Sequence, residues 1–253
     1  MQIQEFIELT KKRRCIRRFK PDPFPDEWLE QMLEAARFAQ SGANGQPWEF
    51  IVVKDKQTKE KISDLVMESH KYIYDIEKTR LEELRQPAYR GSPDRQGQAN
   101  VNFKDAPVFI IMCGDPRPVQ ATVLATHFLP NEGGPYAHFL KGMANATQIL
   151  TLAAAACGLN SQWVSVNSTI EPRLKMLLDV PWELAIHTIV PIGYPAYNPA
   201  PAYRRELSEI VHYEKYDRAK YRSGDDIYNF ILKLRQKTIG AYPAWKSKKE
   251  GES

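Results

Sequence analysis

Apolar and polar residues follow one another along the chain in a pattern that predicts six helices and four short strands. The clearest helix starts at Pro25, after which Trp28, Met32 and Ala36 recur at helical spacing. Proline suits this first position because its missing N–H falls where a helix has no partner for it. The predicted helices cover residues 3–12, 25–39, 57–86, 136–157, 172–178 and 226–237, and the predicted strands cover residues 50–53, 108–113, 162–166 and 187–192. Strands therefore alternate with helices, which indicates an α/β or α+β domain whose sheet is covered by helices.

Length and composition are those of an ordinary globular protein. The 253 residues fit one large domain or two small ones, and a hydrophobic content of 43% is enough for a buried core. The sequence shows no internal repeat, no low-complexity tract and no obvious linker. A formal net charge of +4 gives no reason to expect nucleic acid as a partner, although an anionic ligand is compatible with it.

The sequence indicates neither a membrane location nor an oxidising compartment. Its first residues lack the apolar run of a signal peptide, and no apolar stretch approaches the ~20 residues that span a bilayer. Cys15, Cys113 and Cys157 are far apart and form no C-x-x-C pair, which argues against disulfides and against a zinc site. The histidines match no metal-binding spacing either. We therefore expect a cytoplasmic protein without a metal.

The first segment with candidate chemistry is a cluster of arginines. Arg13, Arg14, Arg17 and Arg18 place four guanidinium groups within six residues. Arginine suits phosphate groups because its planar fork donates paired hydrogen bonds and stays charged at ordinary pH. On charge alone, however, a solvated basic turn is the better interpretation of this cluster.

The second segment is a polar loop between the second predicted helix and the first strand. Its residues Ser41, Asn44 and Gln46 precede Pro47 and Trp48. Asparagine and glutamine carry both a hydrogen-bond donor and an acceptor, so they can bind the edge of a heterocycle. A plain connecting loop is the alternative for this segment taken alone. Together with the arginines, the loop suggests a ligand that carries both a phosphate and a ring.

The two segments together resemble the FMN-dependent nitroreductase family. Its members begin with an R-R-S/C-x-R-x-F segment, followed by an amphipathic helix and an S-x-x-N-x-Q-P-W loop. The resemblance covers roughly residues 5–213 and includes weaker motifs, G-L-N-S-Q-W at residues 158–163 and P-I-G-Y-P at residues 191–195. The chain departs from the family at Gln40, where many members have proline.

This resemblance implies a fold, a domain division and a dimer. The implied fold is α+β, with a central, mostly antiparallel sheet flanked by helices, in an intertwined homodimer. Residues 1–213 would form the FMN-binding domain, with an insertion at residues 67–105 that is either a substrate lid or a solvated helical excursion. Residues 214–253 would form a C-terminal extension that wraps around the partner subunit.

The resemblance also implies a phosphate site. Arg13 and Cys15 would contact the FMN phosphate, with help from Arg14. One of the two neighbouring residues Arg204 and Arg205 would complete this site, and the sequence does not distinguish between them.

The flavin ring and the ribityl chain have implied contacts of their own. Arg17 would lie near the pyrimidine ring and the ribityl chain, and the backbone N–H groups of Ser165 and Val166 would face N5 of the flavin. The other implied contacts to the ring or the ribityl chain are Ser41, Asn44, Gln46, Pro191, Ile192 and Gly193.

The activity implied by the resemblance is that of an NAD(P)H oxidoreductase with ping-pong turnover. NADH or NADPH would reduce the flavin at N5, and a small acceptor such as a nitroaromatic, a quinone or an activated alkene would then take two electrons. No catalytic side chain is assigned, because the flavin carries the chemistry. The chain has no G-x-G-x-x-G fingerprint, so the nicotinamide would bind transiently over the flavin.

Two alternatives stay open. A related branch of reductive deiodinases and dehalogenases holds its substrate with a Glu, a Tyr and a Lys from a lid. Glu68 and Tyr72 match the first two and are candidate substrate-binding residues, but no lysine stands near the expected third position, around Pro93 and Arg95. The other alternative is a non-catalytic flavin-binding protein, which would bind FMN without oxidising NAD(P)H.

Overall fold

The chain forms two compact units. The computed structural model describes residues 2–85, 102–120, 134–199 and 203–239. The first unit consists of Met1–His70 and Gly97–Tyr197, and the second unit consists of Lys71–Gln96 and Asn198–Ser253. None of the helices in the described part of the chain has both the length and the apolar character needed to cross a membrane.

The first unit is a sheet with helices packed on both faces. Its helices are α1 (Ile3–Lys12), α2 (Asp26–Arg37), α3 (Lys56–Lys78, which continues into the second unit), α4 (Arg117–Gln120), α5 (Gly134–Ala156) and α6 (Glu171–Leu178). Its strands are β1 (Trp48–Val53), β2 (Val108–Gly114), β3 (Asn160–Ser161), β4 (Val164–Ser165) and β5 (Ala185–Gly193).

All pairs between these strands are antiparallel. The strands lie in the order β1-β2-β5-β3, and β4 also pairs with β5. Trp48 lies opposite Gly114, which lies opposite Ala185, whereas Gly193 at the other end of β5 lies opposite Asn160. The predicted α+β fold with a mostly antiparallel sheet is therefore confirmed, and β1 begins at the end of the sheet opposite to β3.

The side chains of β2 alternate between two hydrophobic cores, because successive residues of a strand point to opposite faces. Phe109 and Ile111 pack into the core that includes residues of α3 and α6, whereas Ile110 and Met112 pack into the core that includes residues of α2 and α5. All seven residues of β2 are buried. The continuous apolar run at residues 108–113 is thus explained by a central strand that is covered on both faces.

One predicted helix differs from the structure by more than two residues at an end, and one predicted strand keeps only two of its residues. The helix predicted over residues 57–86 ends at Lys78, and the Arg85 guanidinium donates hydrogen bonds to the carbonyl oxygens of Lys78 and Arg80. A side chain thereby satisfies carbonyl groups that the helix end leaves without partners. The strand predicted over residues 162–166 is reduced to β4, and the two residues Asn160–Ser161 before it form a separate short strand, β3, which pairs with β5 in the same register.

The second unit is held together by aromatic and cationic side chains. Its helices are α7 (Leu207–Ile210) and α8 (Gly224–Ile239), and α8 packs against a short helical turn at Glu82–Leu84. The rings of Tyr203 and Phe230 have centroids 6.4 Å apart, and the Arg222 guanidinium lies 4.8 Å from the centroid of the Phe230 ring. The wrapping of residues 214–253 around a partner subunit stays a prediction.

Candidate functional site

The arginine-rich segment lies along the end of the sheet beside β3. Cys15, which is exposed, forms a parallel bridge with Ser161, and the Ile16 N–H donates to the Ser161 carbonyl at 3.0 Å. The Arg14 N–H donates to Oδ1 of Asn160 at 3.2 Å. The fold therefore brings together two predicted motifs that are far apart in the sequence.

The arginine side chains in this segment have different surroundings. The Arg14 guanidinium donates to the carbonyl oxygens of Lys11 and Arg13, where α1 ends. Arg13 and Arg17 are half-buried. The pKa of His70 lies below its ordinary value because of burial and, second, because of the positive charge of Arg17. Arg14 thus has a structural role at the helix end, and Arg13 and Arg17 stay candidates for binding an anion.

The N–H of Ser165 points away from the body of the sheet. In an antiparallel pair, successive N–H groups of a strand point alternately toward and away from the partner strand. The Gln162 N–H donates to the Pro191 carbonyl of β5 at 3.1 Å, and β4 continues the same register. This alternation directs the N–H of Ser165 away from β5 and that of Val166 toward it. Of the two predicted donors, Ser165 has the direction that suits a ligand at the outer edge.

Pro191, Ile192 and Gly193 lie within the sheet, between β2 and β3, and all three are buried. A Cβ at Gly193 would lie 2.6 Å from Cδ of Pro107 and 3.3 Å from Cδ1 of Phe19. Close packing inside the protein therefore explains this glycine. An approach of these residues to a cofactor stays a prediction.

The polar loop that precedes β1 has an unusual backbone. Ala43, Asn44 and Gln46 have φ values of 52°, 53° and 42°, in the left-handed region that residues other than glycine seldom adopt. The Ser41 hydroxyl accepts a hydrogen bond from the Gln46 N–H at 3.0 Å, which closes the turn. Asn44 and Gln46 are exposed. Strained backbone of this kind is concentrated at binding sites, and here it presents two amide side chains to solvent.

The loop and the arginine-rich segment are far apart within one chain. A Cβ at Gly142 of α5 would lie 3.3 Å from Cβ of Ser41, whereas the other end of α5, at Ala156, leads into β3 and its neighbour Cys15. At 1.5 Å per residue, Gly142 and Ala156 are about 21 Å apart. The strand pairing also separates the two segments, because the loop enters β1 at one end of the sheet and the arginine-rich segment contacts β3 at the other end.

The remaining predicted phosphate ligands belong to the second unit. The Arg204 guanidinium donates to the Tyr203 carbonyl at 2.8 Å, and the Arg205 guanidinium donates to the Glu209 carbonyl at 2.8 Å. Arg204 is exposed and Arg205 is half-buried. Arg205 thus closes the short helix α7, and Arg204 is the better candidate for a ligand, which stays a prediction.

The predicted substrate-binding residues are at the surface. Glu68 accepts from the Arg173 guanidinium at 2.7 Å, in a pair whose side chains are 64% and 43% exposed. Tyr72 is 65% exposed. The part of the predicted insertion that covers residues 86–101 lies outside the described residues.

Asn167 and Ser69 form a contact near the site that the sequence did not reveal. The side-chain oxygen of Asn167 accepts from the N–H groups of Thr169 and Ile170, and its Nδ2 donates to the Ser69 hydroxyl of α3 at 2.7 Å. An asparagine shortly before a helix is typical of such a turn, so the local contacts had a signal in the sequence. Nothing in the sequence indicated the contact between Asn167 and Ser69 of α3.

Two buried polar atoms near β4 and β5 have no hydrogen-bond partner in the described part of the chain, namely Oε1 of Gln162 and Nε2 of His187. The ring of Trp163 packs edge-on against His187, with centroids 5.4 Å apart. Because an unpaired buried polar atom is costly, ordered water is the expected partner. Among the described residues, no group of three or more His, Cys, Asp or Glu side chains is placed to hold a metal.

Two histidines are expected to make stability depend on pH. Burial, followed by the charge of Arg17, lowers the pKa of His70, and burial lowers the pKa of His187. The histidines of the unfolded chain titrate at about pH 6.5, so below this pH the unfolded chain binds more protons than the folded chain. The free energy of unfolding is therefore highest above this pH. It decreases as the pH falls, until the pH is below the lowered pKa values of the folded chain.

We expect the Tm to fall when the pH is lowered from about 7.5 to about 5.5. A His70→Gln variant should show a smaller fall, because one of the two titrating groups is gone. Thermal unfolding followed by circular dichroism checks this, and an equal pH dependence in the variant would contradict the assignment to His70.

Comparisons with known proteins agree with the resemblance of the sequence. The family model described as the Nitroreductase family matches residues 10–194. Iodotyrosine deiodinase 1 of Rattus norvegicus is 30% identical over 205 residues, which cover 78% of this chain and 64% of the rat protein. The chain thus spans less than two thirds of the length of that relative.

Two further comparisons cover nearly whole proteins. A protein of Methanothermobacter thermautotrophicus, named for a proposed NADH dehydrogenase or NAD(P)H nitroreductase activity, is 27% identical over 84% of this chain and 88% of its own length. The crystal structure of an oxidised iodotyrosine deiodinase bound to FMN and 3-iodo-L-tyrosine matches with a TM-score of 0.62 and 27% identity, over 83% of this chain and 99% of the other. Because the family model covers well over half of the sequence, the chain belongs to the nitroreductase family.

Proposed function

We propose that the protein is an FMN-dependent oxidoreductase that takes two electrons from NADH or NADPH and passes them, in ping-pong turnover, to a small acceptor such as a nitroaromatic or a quinone. The observation that carries the proposal is the placement of Arg13, Cys15 and Arg17 beside β3, next to the strand whose Ser165 N–H points outward. The family match and the relative solved with FMN support it.

The groups at this edge of the sheet fit FMN by their chemistry. A phosphate is bound by cations and N–H donors, and Arg13 would supply a guanidinium group for it, while Arg17 would supply one nearer to the ribityl chain and the ring. Ser161, which is paired with Cys15, and Ser165 are four residues apart along one extended segment, about 13 Å at 3.3 Å per residue. A cationic end and a more distant N–H donor suit an elongated molecule that carries its phosphate at one end.

The site is shared between two copies of the chain in this proposal. Arg17 and Asn44 are both expected to contact the ribityl region, yet the two segments that carry them lie near opposite ends of α5, at positions about 21 Å apart along the helix. In this proposal, the loop with Ser41, Asn44 and Gln46 comes from a second copy of the chain. The assembly would be a homodimer in which each copy contributes one arginine-rich segment and one loop.

The residues of the protein would bind FMN, orient its ring and stabilise the charge of the reduced ring. Bound FMN would supply the two-electron redox chemistry. The positive charge of Arg17 would stabilise the negative charge that builds up at the reduced ring, and the N–H of Ser165 would fix the orientation of the ring. No side chain of the protein has to transfer a proton. Without a dinucleotide-binding fingerprint, the nicotinamide substrate would use the same place as the acceptor, which agrees with ping-pong turnover.

Reductive dehalogenation is a second candidate, because some of the relatives are iodotyrosine deiodinases. The rat protein is a deiodinase, and the deiodinase structure contains 3-iodo-L-tyrosine. Glu68 and Tyr72 would then hold the substrate. The exposed pair of Glu68 with Arg173 would have to open, at a cost of only about 0–1 kcal/mol. The lack of a lysine near Pro93 and Arg95 places this activity second.

The proposal is tested by the visible spectrum of the purified protein, by identification of the cofactor released on heating, and by stopped-flow reduction with NADH and NADPH. We expect FMN at about one per chain, bleaching by one of the two donors, and reoxidation by a nitroaromatic or quinone. FMN that no nicotinamide reduces would leave a non-catalytic binding protein. Iodide release from 3-iodo-L-tyrosine at the chemically reduced protein, without reduction of nitroaromatics, would favour the dehalogenase instead.

A further inference from the structure

We propose that Ser69 and Asn167 form a positioning pair that holds the Ser165 N–H at the outer edge of the sheet and thereby sets the relative affinity of the protein for oxidised and reduced FMN. This inference rests on the proposed function and names a further part of the same site. It starts from a hydrogen bond of 2.7 Å between two residues that are 98 positions apart in the sequence.

The amide of Asn167 is bonded at both of its ends. Its oxygen accepts from the N–H groups of Thr169 at 3.0 Å and Ile170 at 3.2 Å, which fixes the turn between β4 and α6. Its nitrogen donates across to the Ser69 hydroxyl of α3. One side chain thus ties the end of β4, the start of α6 and the middle of α3 together.

The two elements that Asn167 connects, α3 and the start of α6, are each held in place by other contacts. Ser69 is only 6% exposed and lies on α3, whose Val66 is in the hydrophobic core. The start of α6 is attached to β5, because a side-chain oxygen of Glu171 accepts from the Ile186 N–H at 3.0 Å. The Asn167 amide therefore connects two anchored helices. Val166 and Asn167, the two residues that follow Ser165, have little freedom while the bond is intact.

A second contact between the same elements contributes much less. Glu68 and Arg173 also join α3 to α6, but both side chains are largely exposed, and such a pair is worth about 0–1 kcal/mol. The part-buried hydrogen bond to Ser69 is therefore the stronger of these two polar contacts between the turn and α3, and it adds direction to the apolar packing of Ile170 against the core that contains Val66.

The consequence for the cofactor follows from the chemistry of N5. This nitrogen accepts a hydrogen bond in the oxidised flavin and carries a proton in the reduced flavin. An N–H donor held against it therefore favours the oxidised form. If the Ser69–Asn167 bond is lost, Ser165 gains freedom, and binding of oxidised FMN is weakened more than binding of reduced FMN.

The test is a Ser69→Ala variant, which removes the acceptor and leaves both turn bonds of Asn167 in place. We expect the Kd for oxidised FMN to rise several-fold relative to that for reduced FMN, with the Kd values measured by FMN fluorescence and by anaerobic potentiometry. A tenfold change in this ratio corresponds to about 30 mV for a two-electron couple. The two-electron potential of bound FMN should therefore rise.

A matched control is Ser63→Ala, which removes another buried hydroxyl of α3. The Ser63 hydroxyl donates within the helix, to the Lys59 carbonyl at 2.8 Å, so this variant should keep the ratio of the parent. An unchanged ratio in Ser69→Ala would overturn the positioning role. A parent protein that binds no FMN would overturn the proposed function, and this inference with it.

Discussion

A chain with both Arg13→Ala and Arg17→Ala is expected to purify without bound flavin. Hydrogen bonds to charged groups contribute about 1.5–3 kcal/mol each, so the loss of two guanidinium groups should raise the Kd for FMN by roughly two to four orders of magnitude. Titration of the apoprotein with FMN, followed by fluorescence quenching, measures this. Because both side chains are half-buried beside β3, the effect should exceed that of removing surface charge.

The control for this prediction is a chain with Lys12→Ala and Lys20→Ala. These two exposed lysines flank the arginines, so the control removes the same net charge from the same segment. We expect its affinity for FMN to stay within a few-fold of that of the parent. The difference between the two should become smaller at high salt, which screens exposed charges. If the two double variants lost the same affinity, the segment would act only through its net charge.

Gly193→Ala is expected to destabilise the fold by about 3 kcal/mol, the upper part of the usual range for overpacking. The added methyl group would lie 2.6 Å from Cδ of Pro107, and this proline precedes β2, the central strand, so neither neighbour can move freely. Urea unfolding of the apoprotein measures the change. Because the measurement is made without FMN, the change in the free energy of unfolding reports only on packing and not on a contact with the cofactor.

Gly224→Ala provides the comparison. Gly224 begins α8, and a Cβ there would meet nothing within 4 Å, so this variant should be neutral or slightly stabilising. A fully stable Gly193→Ala protein that has lost only FMN affinity would show instead that the glycine is needed for approach to the cofactor.

Much of the fold could be predicted from local patterns. The apolar run of β2 and the helical spacing after Pro25 correspond to the central strand and to α2. Gly158 marks the end of α5, where its φ of +75° is one that glycine adopts without strain. The break between β3 and β4 and the early end of α3 were not predictable, because both depend on where the rest of the chain provides partners.

The candidate site was predictable only in its residue types. The arginines and the polar loop stand out by composition, but their separation within one chain depends on the length of α5 and on the strand order. The hydrogen bond between Ser69 and Asn167 could not be predicted, because two polar residues 98 positions apart meet only when the tertiary structure forms. The direction of the Ser165 N–H likewise follows from the register of β4 on β5.

Mixed dimers of two defective chains, each carrying a different affinity tag, test whether one FMN site is built from the arginine-rich segment of one copy and the polar loop of another. One chain has Arg13→Ala and Arg17→Ala. The other has Asn44→Gly and Gln46→Gly, which remove both amide side chains while glycine keeps the left-handed backbone.

The measurement is the FMN content of mixed dimers purified through both tags. Each defective chain alone should bind almost no FMN. In a mixed dimer, one site combines both defects and the other combines the intact arginines with the intact loop, so we expect about one FMN per dimer. Mixed dimers that bind as little FMN as either parent would rule out a shared site, because a site contained within a single chain would be defective in both copies.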